Sequence, residues 1–162
     1  MTETTDGGVV SLPGEGQTTR LFGDTYTIKA AGGQTGGSLA VIEADLAPHS
    51  GGTPLHVNTL EAENYYVTEG TLTFRLGERT VEAPAGTFVH IPKGLVHTHW
   101  NAGGASVKLV AFPAPAGFET FFADLAELMA EMPPGPPDMG KIAAVYERYG
   151  LRVVGPPPGS ER

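Results

Sequence analysis

The chain has 162 residues, 40% hydrophobic and only 17% charged, with a formal net charge of −8, 23 Gly, 14 Pro and no Cys. That length accommodates one domain with a real core, and the Gly/Pro content points to a turn-rich, all-β protein. The acidic balance argues against a nucleic-acid backbone or an anionic membrane as partner, and the lack of cysteine excludes disulfides, thiolate metal sites and cysteine nucleophiles.

Residues 1–17 are rich in Gly, Thr and Glu and read as a flexible arm. They lack a basic region followed by an apolar run, so the expected location is cytoplasmic. No segment approaches the roughly 18 consecutive apolar residues of a membrane span. Between Arg20 and Ala30, Leu21, Tyr26 and Ile28 alternate with Thr25, Thr27 and Lys29 around Gly23-Asp24, the pattern of two strands and a turn. A glycine-rich loop over 32–37 leads to a strand over Ser38–Leu46. Ala47–Pro54 is a loop whose prolines and glycines end one strand and aim the next. Strands follow over Asn64–Thr68, Thr71–Leu76, Thr80–Glu82, Thr87–Ile91, His97–Trp100 and Ser106–Phe112, with Leu72, Phe74 and Leu76 on one face. About nine short strands with turns at this spacing predict a sandwich or barrel.

After Pro115 the period changes. Phe118, Phe121, Phe122, Leu125, Leu128, Met129 and Met132 have the spacing of an amphipathic helix. Residues 132–137 are a proline-rich linker. Asp138 can cap a second helix with Ile142, Val145, Tyr146 and Tyr149 on its apolar side and Gly150 at its C′ position. Leu151–Val154 is extended and 155–162 is a tail. The helical segment, 115–154, reads as cover for an exposed barrel face.

On a strand, residues two apart share a face. His56 and Asn58 therefore point the same way, as do His97 and His99, and Glu63 shares its face with Tyr65 and Val67. Three strands of a small barrel can thus converge a histidine, a glutamate and a second histidine, a donor set without sulfur that suits iron, manganese, nickel, zinc or copper. His99 is open to three roles: a base in the cavity, a substitute ligand, or a packed rim residue. His49 and His90 read as structural, Glu61 as a solvated carboxylate, Tyr65, Phe74 and Trp100 as core or interface aromatics, and Asn101 as a turn-fixing amide. No phosphate-binding loop and no nucleophile elbow competes with the metal reading.

The spacing His56-x-Asn58-x4-Glu63-x6-Gly70, followed by Gly86-x5-Pro92-x-Gly94-x2-His97-x3-Asn101, resembles the two motifs of the cupin superfamily. The second motif matches in full. The first matches except at Asn58, where a cupin usually carries another histidine. The resemblance covers about residues 20–114, and 138–158 resembles the C-terminal helix of small bacterial cupins likened to quercetin 2,3-dioxygenase. It implies a single-domain jelly-roll β-barrel over 18–114 with one or two C-terminal helices packed outside. It also implies one divalent transition metal (Fe, Mn, Ni or Zn) held by His56, Glu63 and His97, with Asn58 in the position of the fourth ligand. His99 and Tyr65 become the candidate catalytic side chains. The expected activity is a dioxygenase reaction on a small aromatic or enolic ketone. A non-redox cyclase or isomerase and a non-catalytic binder of small molecules are the alternatives. Barrels of this kind often pair through an edge strand, so a homodimer is expected.

Overall fold

The computed structural model describes residues 3–5 and 7–158, with side-chain environments from residue 7 onward. Alternating apolar and polar residues, cut by glycine turns, make a run of short antiparallel strands. A hairpin of β1 (Glu3–Thr5) and β2 (Gly8–Val10) stands apart from the two main sheets. The next strands are β3 (Gln17–Leu21), β4 (Asp24–Ala30), β5 (Val41–Leu46), β6 (Leu55–Asn58) and β7 (Glu63–Glu69). They are followed by β8 (Thr71–Leu76), β9 (Arg79–Pro84), β10 (Phe88–Ile91), β11 (His97–Trp100), β12 (Val107–Ala111) and β13 (Leu151–Gly155). One sheet has the order β10-β7-β12-β5-β4-β3 and faces a second of order β13-β6-β11-β8-β9. This is the antiparallel double-sheet arrangement of a jelly roll.

The inner faces of the two sheets meet in one core. Leu72 and Phe74 of β8 and Val67 of β7 are fully buried, with Ile91 and Val107 close behind. The residues expected as a solvent-facing arm continue past the hairpin into a loop tied down by Lys29, whose Nζ donates to the carbonyls of Leu12 (2.6 Å) and Glu15 (2.7 Å). Residues 1, 2, 6 and 159–162, the ends of the arm and of the tail, lie outside the described residues.

Two details differ from the expected pattern. Leu55–Asn58, the strand that carries His56, is held between β11 and the C-terminal β13. The extended piece after the helices therefore completes a sheet instead of trailing from it. The strand expected from Ser38 begins only at Val41, because the glycine-rich loop runs through turns up to residue 38. The loop before β6 passes hard against β11. At Gly52, where φ is 74°, a Cβ would lie 2.0 Å from the His99 carbonyl oxygen, so only glycine fits.

The cover begins as a 3₁₀ turn over Phe118–Thr120 and becomes helix α1 at Phe121–Glu131; α2 spans Met139–Arg148. Asp138 caps α2 as its sequence position predicts, accepting from the backbone N–H groups of Gly140 and Lys141 at 3.0 and 3.2 Å. Gly150, with φ 72°, turns the chain out of α2 into β13. The start of the cover is anchored by buried Glu119, whose carboxylate accepts from Gly32 N (2.8 Å) and Gly117 N (2.6 Å). Phe121, Leu125, Ile142 and Val145 then bury the helices' apolar faces with Leu21 and Leu151. Among the described residues no helix is long and apolar enough to cross a membrane.

Leu125 is 1% exposed at the centre of this second cluster. Truncating it in Leu125→Ala should cost about 2–5 kcal/mol through lost burial and the cavity left behind. Urea unfolding of the variant beside the parent protein measures that difference.

Candidate metal centre

The pairing of β6 with β11 sets His56 directly opposite His97. Their rings lie 4.4 Å apart between centroids. Glu63 comes from the other sheet, at the first position of β7, where it pairs with Ile91 of β10. The three side chains are buried, and one donor atom from each lies within 4.8 Å of the others. The expected His–Glu–His convergence is thus present, and it bridges the two sheets.

Local hydrogen bonds fix which atoms face inward. His56 Nδ1 donates to the Pro54 carbonyl at 2.7 Å, and His97 Nδ1 donates to the Leu95 carbonyl at 2.8 Å. A carbonyl can only accept, so each Nδ1 carries the proton and each Nε2 is left as the metal-facing nitrogen. His97 Nε2 lies 2.9 Å from Glu63 Oε2, which in turn accepts from the Tyr65 hydroxyl at 2.8 Å.

The charges reinforce this geometry. Burial works against ionised Glu63, but the His97 hydrogen bond, the two imidazoles and the Tyr65 hydroxyl outweigh it and hold the carboxyl below its usual range. Burial also opposes the His97 imidazolium, and Glu63 outweighs it, so His97 shifts up. His56 shifts down through burial and the neighbouring His97. Tyr65 is pushed well above its ordinary value by burial and by Glu63, and stays protonated.

Asn58 lies two residues beyond His56 on β6, is 2% exposed, and its side-chain amide interacts with the His56 imidazole. Its Nδ2 donates to Glu61 Oε1 at 2.5 Å, while its Oδ1 is buried with no hydrogen-bond partner. A buried acceptor without a donor costs about 1–3 kcal/mol. Beside two Nε2 lone pairs and a carboxylate, a cation is the partner that such an oxygen fits. His56, Glu63 and His97 could therefore hold a divalent transition metal, and the Asn58 oxygen lies on the same face of β6 as His56.

The expectation for Glu61 is corrected. It is 4% exposed rather than solvated, and burial pushes its carboxyl up to about 7 against the pull of the Asn58 amide. The reason is that β7 starts only at Glu63, and the irregular chain before it folds Glu61 back toward β6.

His99 shares the inward face of β11 with His97 and sits 5.5 Å from the Tyr65 ring and 5.8 Å from Phe74. It lines a narrow cavity beside His56 and Glu63, and its buried Nδ1 has no hydrogen-bond partner. Burial lowers its pKa to about 4, so it is neutral near pH 7. His90 is exposed and bonds Asn64 Oδ1 at 2.7 Å, and Asn101 fixes its loop by donating to Ala47 O and Ala105 O and accepting from Gly103 N.

The cavity is small, with about 50 Å³ of space that water can enter. Its polar lining is limited to Thr53, His56, Glu63, Asn64, Tyr65 and His99. Much of the remaining wall is aromatic and comes from the cover, with Phe118, Phe121 and Phe122 beside Tyr26. Tyr26 and Phe122 stack at 3.9 Å. The helical spacing of these phenylalanines announced a buried face but carried no signal that the face closes the site.

Comparison with known proteins follows the same lines. No curated protein sequence is significantly similar to this chain. Solved structures superpose well at low identity. A predicted oxalate decarboxylase from Thermotoga maritima matches with a TM-score of 0.61 at 19% identity, over 65% of this chain and 98% of that one. An RmlC-like cupin from Shewanella frigidimarina matches with a TM-score of 0.56 at 14% identity, over 65% and 89%. Pac13 from Streptomyces, a nucleoside dehydratase, matches with a TM-score of 0.53 at 22% identity, over 67% and 82%. These likenesses establish the fold. Residues 42–113, which carry His56, Glu63 and His97, match the cupin domain family, and the architecture built around them is the cupin jelly roll.

Proposed function

We propose that this protein is a metal-dependent oxidoreductase of dioxygenase type, acting on a small, largely apolar substrate with an enol or an acidic hydroxyl next to a carbonyl. The observation that carries this reading is the buried meeting of two imidazoles and one carboxylate beside an aromatic cavity. Two histidines and a carboxylate leave coordination positions for substrate and O₂, and one weak amide oxygen does not close them. A bound divalent transition metal would supply Lewis acidity toward the substrate oxygen and, where redox-active, electrons for reaction with O₂.

The chain's own residues would do the rest. Phe121, Phe122 and Leu109 hold an apolar ring and exclude water, which strengthens every charge interaction in the cavity. His99, kept neutral by burial, faces the cavity with an unpartnered Nδ1 and orients the substrate hydroxyl by hydrogen bonding. Tyr65 keeps its proton and holds Glu63 through Oε2, so its role is to position that carboxylate. Asn64, whose side chain bonds the Phe112 carbonyl at 3.0 Å, keeps the cavity rim in register.

Purified protein loaded with Fe(II), Mn(II), Ni(II) or Zn(II) should retain about one equivalent per chain by elemental analysis, and His97→Ala should retain almost none. With a panel of enolic and aromatic ketones, an oxygen electrode should record metal-dependent O₂ uptake. Turnover without oxygen uptake would assign the same ligands to Lewis-acid chemistry instead, and an absence of metal uptake would remove the enzyme reading.

The cavity wall makes a separate expectation about substrate. Compact aromatic ketones should raise the unfolding temperature of the metal-loaded protein, by about 2.7 kcal/mol of stabilisation at 100 times Kd, and sugars and nucleotides should not. Phe122→Ala should weaken that stabilisation while metal content stays at the parent level. Thermal-shift titration with each compound class reads both.

A further inference from the structure

We propose that Glu61 is a positioning residue for the metal centre: it orients the Asn58 amide so that Oδ1, and not Nδ2, is presented to the ion. The proposal rests on the metal reading above and adds to it a residue outside the ligand motif. An amide has two ends of similar shape, and only the oxygen can ligate a cation. At Asn58 the choice is made by a hydrogen bond. The bond runs from Asn58 Nδ2 to Glu61 Oε1 at 2.5 Å, so Nδ2 is the end of the amide that meets Glu61. Oδ1 is then directed elsewhere, and it is buried without a hydrogen-bond partner.

The backbone prevents the pair from drifting. The Asn58 carbonyl accepts from Gly94 N at 2.9 Å, in the turn that leads to His97, and Asn58 pairs with Leu151 of β13. Glu61 is fixed by its neighbour, since Ala62 N and O bond Ala114 O and N at 2.9 and 3.0 Å. With both backbones held, reversing the amide would set its oxygen against the Glu61 carboxylate and its NH₂ against the ligand cluster. Glu61 thus makes a usable ligand of a neutral amide in the position where the motif has an imidazole.

Co(II) titration of the full chain, against a chromophoric chelator and by its visible d–d absorption, tests this. Glu61→Leu should weaken Co(II) binding tenfold or more and give the altered spectrum of Asn58→Leu. Glu61→Gln, whose Oε1 can accept the same bond, should stay within about threefold of the parent. The double variant Asn58→Leu/Glu61→Leu should bind no more weakly than Asn58→Leu alone, since the two residues act as one unit. Should Glu61→Leu fail to fold, Asn58→Asp/Glu61→Gln keeps the geometry with donor and acceptor exchanged, and it should bind at least as tightly as the parent. Parent-like binding by Glu61→Leu, equal losses in Glu61→Gln and Glu61→Leu, or weak binding by the exchanged pair would overturn the proposal. A parent protein that takes up no cobalt would instead remove the metal reading on which it rests.

Discussion

The centre depends on one antiparallel pair, His97 opposite His56, being held at a fixed distance from a carboxylate on the facing sheet. Neither sheet can make the site alone. Glu63 reaches the histidines only because the two inner faces are kept apart by a packed layer in which Leu72, Phe74 and Val67 have no exposed surface. Interiors of this density transmit small volume changes as displacements. The ligand geometry is therefore a consequence of core packing more than of any interaction at the site itself.

Within that frame, each histidine is aimed by the same local device. His56 bonds the carbonyl of Pro54 and His97 that of Leu95, in both cases two residues upstream. The turn that delivers each strand thus also sets the ring's tautomer and rotation. This explains why glycine and proline crowd these segments. Gly52 lets the loop before β6 pass against the His99 carbonyl, and Gly94, at φ 80°, lets its N–H reach the Asn58 carbonyl. A side chain at Gly52 would strike the His99 carbonyl, whereas at Gly94 there is room and only the left-handed φ calls for glycine.

The parts legible in the sequence are those fixed by short-range periodicity. The alternation in Thr71–Leu76, the His97–Trp100 strand and the Asp138 cap all stand as read, because pleat and capping chemistry are decided within a few residues. The convergence of His56, Glu63 and His97 was legible from strand parity joined to motif spacing. Glu61 was misread because parity fails where the strand has not begun. The pairing of Leu55–Asn58 with β13 was hidden because β13 lies some ninety residues downstream, beyond two helices that carry no strand signal.

The helical cover shows most clearly why a local reading stops short. Its phenylalanines have the spacing of any helix that packs on a sheet, and most of them do pack. Phe121 stacks on Tyr146, and Phe118 on Phe121. The same rings also form the wall of the cavity beside His56 and Glu63. Stability and site shape are therefore coupled through one set of side chains: trimming a ring to widen the cavity also removes buried apolar area from the second core, at about 25 cal/mol per Å². Changes that open this cavity to larger substrates must be accompanied by packing gained elsewhere in the cover. Met129, Met132 and Leu128, which sit only partly buried on the outer side of that cluster, are the positions with room to supply it.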